Sequence, residues 1–320
     1  MLLDHLNATK KQIGFLSGLD HLIARGDLGG QLKAFLLSCR VDELSPRTLG
    51  DYEQKIGRFV YFAFSLKVTQ PNKVTANHVR MFLLKCQETC IPYSVRDYYG
   101  CVKRFFNWMI SEGVLKSNPM APIRRPKVPE KLIQPFKPEH INELLYLCSG
   151  TNLLSLRNQA IILIYYDTGL RLSEISKIQL KDIDFDREII KVMGKGAKER
   201  VVRVGKRTQK TMLRYLLMRK DNYPCLWVSE EGRPMHVYGI QSMIKRLGYA
   251  AKFNDVRCSS HTFRHSFGTQ CLRNGATVKE VQDLLGHSTA RMTMRYVATL
   301  NSEDAAISHR RFSPVDNLKL

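Results

Sequence analysis

The sequence predicts a mainly α protein with one small β-hairpin, an α+β chain built as two domains. Three observations carry this. Apolar residues recur at helical spacing through most of the 320 residues. A single pair of short Ile/Val-rich segments brackets the turn GKGAKE. A proline-rich strip separates a purely helical first part from a mixed second part.

The N-terminal stretch, 1–25, is mildly amphipathic and reads as an arm or a short helix. From 26 to 117 the pattern is helical throughout. A first helix is expected near Leu32–Leu37. Ser45 followed by Pro46 is a helix start, a side-chain cap and then a residue preset for the first turn. Leu49, Tyr52, Ile56, Phe59, Val60 and Ala63 follow at helical spacing. Thr75 caps a helix carrying Val79, Phe82, Leu83 and Cys86, and Ser94 is expected to cap another with Tyr98, Val102, Phe105, Phe106 and Met109 inside. Arg47, Lys55, Arg58, Arg96, Lys103 and Arg104 fall off these apolar stripes, on a side that is solvated or meets a charged partner.

Residues 118–138 are expected to be a linker, because six prolines between Pro119 and Pro138 forbid a continuous helix. Arg124, Arg125 and Lys127 help make it cationic, as a strand lying along phosphates would be, or a plain solvated linker. A second domain is expected over 139–300, with a tail over 301–320. Helices are predicted at 139–148, 156–167, 206–219, 237–250, 262–273, 277–285 and 289–299, and strands near Glu188–Met193 and Arg200–Val204.

Lys and Arg number 50 against 29 Asp and Glu, a net charge of +21. Such an excess points to a polyanionic partner, and nucleic acid is the leading candidate. No apolar run is long enough to span a bilayer, and the first residues are too charged for a secretory signal. The expectation is a cytoplasmic protein with no membrane partner. The eight cysteines show no paired zinc spacing and read as reduced packing residues.

Nucleotide-binding and metal-ligating motifs are missing: there is no G-x-x-x-x-G-K-[ST], no H-E-x-x-H and no cluster of carboxylates suited to magnesium. What the second domain does contain is TGLRLSEI around Arg171, GKGAKER around Lys195, HTFRHSFGTQCL with His261 and Arg264, and LLGHSTARMTMRYVA with His287 and Tyr296. Breaking a phosphodiester without a metal needs cations on the non-bridging oxygens, a proton donor for the leaving oxygen and a nucleophile in line. Arginine suits the first task because its planar fork grips phosphate and stays charged. Each of these residues alone has an ordinary reading: Arg171 as a surface residue, His261 as a helix cap, Lys195 as a solvated turn residue, Tyr296 as core.

In this combination and order they closely resemble the tyrosine recombinase, or phage integrase, family. That family has Arg in a T-G-L-R-x-S-E setting, Lys in a hairpin turn, H-x-x-R, His after L-G, and Tyr nine positions later, as from 287 to 296 here. The likeness covers about 25–300 and makes 26–117 similar to the family's core-binding, SAM-like domain and 139–300 to its catalytic domain.

The resemblance implies that Arg171 and Arg264 clamp the scissile phosphate, that Tyr296 attacks it to give a 3′-phosphotyrosine, and that Lys195 protonates the departing 5′-oxygen. His261 then serves as general base or hydrogen-bond partner, and His287 hydrogen-bonds the phosphate. Glu174 and Asp182 are candidates for supporting these groups. Neither cofactor nor metal is implied, because the phosphotyrosine ester keeps the bond energy. Two domains closing on duplex DNA, four protomers on a synapse of two sites, and a monomer or weak oligomer away from DNA are the implied partners, with nucleoid association when bound. The tail after Tyr296, with Ala305, Ala306, Ile307 and Phe312, is expected to dock into a neighbouring subunit or back on its own domain. The stretch 1–25 and the basic SHRRFSPVDN tail lean toward a mobile-element recombinase. A Xer-type chromosome-dimer resolvase, a type IB topoisomerase and a non-catalytic DNA-binding protein are the alternatives.

Overall fold

The computed structural model describes residues 26–129, 133–194, 199–287 and 289–300, with 304, 306, 309 and 313 beyond them. The expected arm over 1–25, the hairpin turn with Lys195, and Ala305, Ile307 and Phe312 of the tail lie outside the described residues. The chain falls into two compact units that divide between Glu130 and Lys131, inside the proline-rich strip. All eight cysteines are free.

The first unit is a helical bundle of α1 (Leu28–Val41), α2 (Pro46–Ser65), α3 (Ala76–Thr89) and α4 (Pro92–Ser111). Asp27 caps α1 by accepting from the Gly30 N–H at 2.9 Å, so this helix starts earlier and runs longer than its short apolar stretch suggested. Ser45 accepts from Thr48 N–H at the head of α2, with Pro46 in the first turn. Thr75 and His78 reciprocate in a capping box at α3. Ser94 does not cap α4. Pro92 already supplies the preset φ of a first helical residue, so the helix begins at Pro92 behind Ile91 and Ser94 sits inside its first turn.

The apolar faces meet in one core. Phe59 is fully buried and packs edge-on against Phe82 at 5.3 Å and Phe106 at 5.6 Å between centroids. The strip that follows α4 is anchored here: Met120 is fully buried, Tyr99 Oη donates to the Ile123 carbonyl at 2.9 Å and Tyr93 Oη to that of Pro129 at 3.0 Å.

The second unit contains α5 (Pro138–Tyr146), α6 (Leu153–Thr168), the one-turn α7 (Leu172–Ile175), β1 (Ile183–Asp184), β2 (Ile189–Met193), β3 (Glu199–Arg203), α8 (Lys206–Met218), α9 (Val237–Ala250), α10 (Ser260–Arg273), α11 (Val278–Leu285) and α12 (Ala290–Val297). Helix α6 is its axis. Ala160, Ile161, Ile162, Ile164 and Tyr165 are buried all round it, and α8 and α10 pack on it. The strands form an antiparallel sheet in the order β1-β2-β3, with Met193 opposite Glu199 next to the turn. Ile190, Val192 and Val202 point into the core. Helix α10 starts two residues before the expected 262, because Ser259 caps it through the Thr262 N–H. Both α6 and α11 end on a left-handed glycine, Gly169 at φ 59° and Gly286 at φ 61°.

These contacts set a scale for stability. Phe59→Ala is expected to lower the stability of the first unit by about 3–5 kcal/mol, the usual cost of emptying a buried aromatic site. Thr75→Ala should cost about 1 kcal/mol, the worth of one cap. Urea unfolding followed by far-UV circular dichroism measures both, and equal effects from the two variants would contradict this packing.

Candidate active site

The site is built around the ends of α6 and α11. Gly169 closes α6, and a Cβ at that position would come within 2.5 Å of the Phe267 ring and 2.8 Å of Leu285. Only glycine fits both the left-handed backbone and this close approach. Two residues later Arg171 caps α7. Its guanidinium donates to Glu174 Oε1 at 2.9 Å and to the Gly286 carbonyl at 3.2 Å, and its backbone N–H donates to Glu174 Oε2 at 2.7 Å.

Arg264, on α10, is 6% exposed. It donates to the carbonyls of Gly169 and Leu285, each at 2.7 Å. These carbonyls close α6 and α11, where the helix dipole is negative and favours a cation. Burial pushes its pKa down to about 10, with repulsion from Arg171 adding to the effect, so it stays charged at neutral pH.

Glu174 is 4% exposed and binds a second guanidinium, that of Arg200 in β3. The pair is bidentate, with Arg200 Nη1 on Oε1 at 2.7 Å and Nη2 on Oε2 at 3.0 Å. Burial drives the Glu174 pKa up, but hydrogen bonds from Arg200 and from the Arg171 backbone outweigh it, and the carboxyl is held below its ordinary range. Three guanidiniums and one carboxylate leave surplus positive charge, which is what an anion-binding site needs.

Tyr296, on α12, is 8% exposed, and its ring lies over Gly268 of α10, where a Cβ would come within 2.8 Å of it. Its Oη is 3.5 Å from His287 Nε2, a long contact, and His287 Nδ1 is 2.9 Å from Thr293 Oγ1. Burial raises the phenol pKa, and the charge of Arg264 opposes that rise. Burial, then repulsion from Arg264, Arg171 and Arg200, pushes the His287 imidazole down to about 4. The site therefore pairs a protonated phenol with a neutral imidazole at neutral pH.

The sequence-predicted residues divide accordingly. Arg171, Glu174, Arg264, His287 and Tyr296 are brought together. His261 is exposed in the first turn of α10, one turn before Arg264 and so on a shared side of the helix. Asp182 is not part of the cluster: its Oδ2 accepts from the Gln179 N–H at 2.9 Å and caps the short turn leading into β1. Arg47, Arg104, Arg124, Arg125 and Lys127 are exposed on the first unit. Arg96 lies over the Tyr93 ring at 4.9 Å, Lys103 over Tyr99 at 5.7 Å and Arg104 over Tyr52 at 5.6 Å, so aromatic faces hold part of this basic set.

Arg200, Thr293, Gly268 and His265 were not singled out by the sequence. Arg200 ends the charged run GKGAKER, which reads as a solvated turn until Glu174 is seen beside it. Among the described residues no group of three or more His, Cys, Asp or Glu is arranged to hold a metal ion, and no helix is long and apolar enough to cross a membrane.

Residues 135–303 match the Phage integrase family. The chain belongs to that family. It is 30% identical over 284 residues to the tyrosine recombinase XerD of Listeria innocua serovar 6a, covering 85% of this chain and 94% of that protein. It is 28% identical over 271 residues to the tyrosine recombinase XerC of Proteus mirabilis, covering 83% and 88%. In fold it is similar to a lambda integrase (75–356) dimer bound to a COC′ core site, with TM-score 0.69, 17% identity, and 83% and 97% of the two chains covered. It is also similar to the Tn1549 transposon integrase in complex with a circular intermediate DNA, with TM-score 0.68, 19% identity, and 88% and 99% covered. This tyrosine recombinase thus cleaves and rejoins DNA.

Acid should destabilise the recombinase through its buried histidines. His265 and His287 are 4% and 7% exposed, and burial pushes the pKa of each imidazole down to about 4 in the folded protein. In the unfolded chain a histidine titrates near 6.5. Between those values the unfolded chain binds the extra protons, so stability falls as pH drops from about 6.5 to about 4 and then levels, by on the order of 3 kcal/mol per histidine. Urea titrations across this range should show the slope, and His287→Gln should remove its share. An unchanged slope in that variant would contradict a neutral His287.

Proposed function

We propose that Tyr296 is the nucleophile and that the recombinase works through a 3′-phosphotyrosine. The observation that carries this reading is the placement of the Tyr296 hydroxyl 3.5 Å from a neutral histidine, with Arg264 charge acting on it. Arg171 and Arg264 bind the non-bridging oxygens of the scissile phosphate. Tyr296 Oη attacks phosphorus, the bond to the 5′-oxygen breaks, and Lys195 gives that oxygen a proton. The phenol proton passes to a neutral imidazole. His287 Nε2 is the better placed acceptor, and His261 is left to hydrogen-bond the phosphate or serve as base once DNA is bound. Glu174 and Arg200 hold Arg171 in register. Rejoining reverses the steps with a 5′-hydroxyl from another strand.

Affinity for duplex DNA comes from phosphate contacts by the basic set Arg47, Arg96, Lys103, Arg104, Arg124, Arg125 and Lys127, and falls with salt. Exchange uses four protomers on two sites. The biological reading remains movement of a mobile element, supported by the stretch 1–25 and the basic tail. A second reading, Xer-type resolution of chromosome dimers, is favoured by the near full-length likeness to relatives named XerD and XerC.

A nicked suicide duplex carrying the native site tests the chemistry. A covalent protein–DNA adduct should form with EDTA present and vanish in Tyr296→Phe. Arg171→Ala and Arg264→Ala should each slow adduct formation by about 10²–10³-fold, the usual loss on removing a donor to transition-state charge, while keeping most DNA binding. An adduct that survives Tyr296→Phe, or one that needs magnesium, would contradict the mechanism. Sequencing the DNA trapped in the adduct then separates the two biological readings, since element ends support the first and a chromosomal resolution site the second.

A further inference from the structure

One fully buried hydroxyl touches the site and has no part in the chemistry above. Thr293, on α12 one turn before Tyr296, is 0% exposed. A threonine buried in a helix ordinarily gives its hydroxyl to the carbonyl one turn back. Thr168 does so to Ile164 at 2.6 Å, and Thr211 to Arg207 at 3.0 Å. Thr293 does not: among the described residues its hydroxyl bonds to His287 Nδ1, at 2.9 Å.

The other edge of the same ring faces Tyr296. His287 Nε2 lies 3.5 Å from Tyr296 Oη, and the two rings stack at 5.7 Å and 25°. Tyr296 Oη, the His287 ring and Thr293 Oγ1 thus form a row of polar groups joined by two contacts. Tyrosine and threonine each bring one O–H, and a neutral imidazole brings one N–H. With one N–H on the ring, both contacts must run the same way along the row. Either Thr293 donates to Nδ1 and Nε2–H points at Tyr296, or Tyr296 donates to Nε2 and Nδ1–H points at Thr293.

The surroundings decide the direction. Arg264 lies one turn before Gly268, which the Tyr296 ring covers, and its charge opposes the rise that burial gives the phenol pKa. A cation draws the lone pairs of Oη and repels its hydrogen, so the hydrogen turns to the imidazole. Burial, then the charges of Arg264, Arg171 and Arg200, keep that ring neutral, which leaves one nitrogen free to receive it. With Nε2 as that nitrogen, Nδ1 carries the ring hydrogen and needs an acceptor among buried side chains. Thr293 Oγ1 is that acceptor. A valine would fill the same volume and strand Nδ1–H.

We propose that Thr293 is a positioning residue for His287: its Oγ1 accepts from Nδ1–H and so fixes the tautomer in which Nε2 takes the Tyr296 proton. The proposal rests on the reading of Tyr296 as the nucleophile and His287 as its base. As Oη bonds to phosphorus, its O–H bond breaks and an N–H bond forms at Nε2. The bond from phosphorus to the 5′-oxygen breaks, and Lys195 protonates that oxygen. The imidazolium then carries two N–H groups, and Thr293 still accepts the one on Nδ1. Thr293 acts through His287 alone, so its loss must slow attack and leave DNA binding intact.

The test uses the full chain. Nitrogen NMR of histidine-labelled protein at neutral pH, with His287 assigned by its loss in His287→Gln, should show hydrogen on Nδ1 and none on Nε2. Hydrogen on Nε2 instead would overturn the proposal with no variant made at Thr293. Thr293→Val keeps the shape and loses the acceptor; Thr293→Ser keeps the acceptor. On the nicked suicide duplex at saturating DNA, and per folded molecule, Thr293→Val should form adduct slower by roughly tenfold or more, as a misset proton acceptor would, with unchanged DNA affinity. Thr293→Ser should restore the wild-type rate. A wild-type rate in Thr293→Val would overturn the proposal, as would a Thr293→Ser as slow as Thr293→Val, which would mark a packing role. Tyr296→Phe is run alongside. If it forms no adduct and His287→Gln is slow while Thr293→Val cleaves normally, this inference alone fails; if Tyr296→Phe still forms adduct, the reading of Tyr296 fails and this inference with it.

Discussion

Glu174 is a buried carboxylate shared by two guanidiniums, and the arrangement of the site depends on it. A buried ion pair is worth keeping only when its geometry satisfies every lone pair, and here Arg200 and Arg171 do so from two different elements. The carboxylate neutralises part of the crowding among Arg171, Arg200 and Arg264. Without it the three cations, Arg264 buried and Arg171 and Arg200 only partly exposed, would repel each other. With it, the surplus positive charge is fixed in place before any phosphate arrives, which is the condition under which electrostatic stabilisation of a transition state costs no reorganisation.

The second constraint is backbone. Gly169 and Gly286 end two helices in the left-handed conformation, and the carbonyls of Gly169, Leu285 and Gly286 all receive arginine donors. A helix C-terminus is a natural acceptor for a cation, and two of them brought together hold a pair of guanidiniums, Arg264 buried and Arg171 partly exposed. Tyr296 and His287 then follow from α11 and α12, which pack on each other and on α10. Tyr296, the proposed nucleophile, is set by packing over Gly268, while the positive charge beside it is set by helix ends. Chemistry and fold therefore meet on α10, which carries Arg264, His265 and Gly268 within five residues.

Much of this was legible in the sequence, and the reasons differ by element. The long helices announce themselves through apolar spacing and caps, as at Ser45 and Thr75. The start of α4 was misplaced because Pro92 outweighs Ser94 as a start signal. The one-turn α7 and the two-residue β1 are too short for any periodicity to register. Arg171, Arg264, His287 and Tyr296 stood out through their order and spacing, and they are adjacent in space. Asp182 looked similar to Glu174 on paper, yet its carboxylate is spent on a local turn. Arg200, His265 and Gly268 were hidden because their roles lie in contacts across the fold: a strand arginine reaching a helix-cap glutamate, a helix histidine whose ring packs on that of Tyr296, and a glycine whose missing Cβ makes room for a ring.

The central claim is that Glu174 serves catalysis by holding guanidiniums on a charged phosphate. The most direct measurement compares Glu174→Gln with wild type on two suicide duplexes, one with a normal scissile phosphate and one with a methylphosphonate, whose non-bridging charge is gone. The account predicts that Glu174→Gln slows adduct formation by about 10²-fold on phosphate, a loss comparable to that of one transition-state donor, and cleaves the methylphosphonate nearly as fast as wild type. An equal deficit on both duplexes would contradict it.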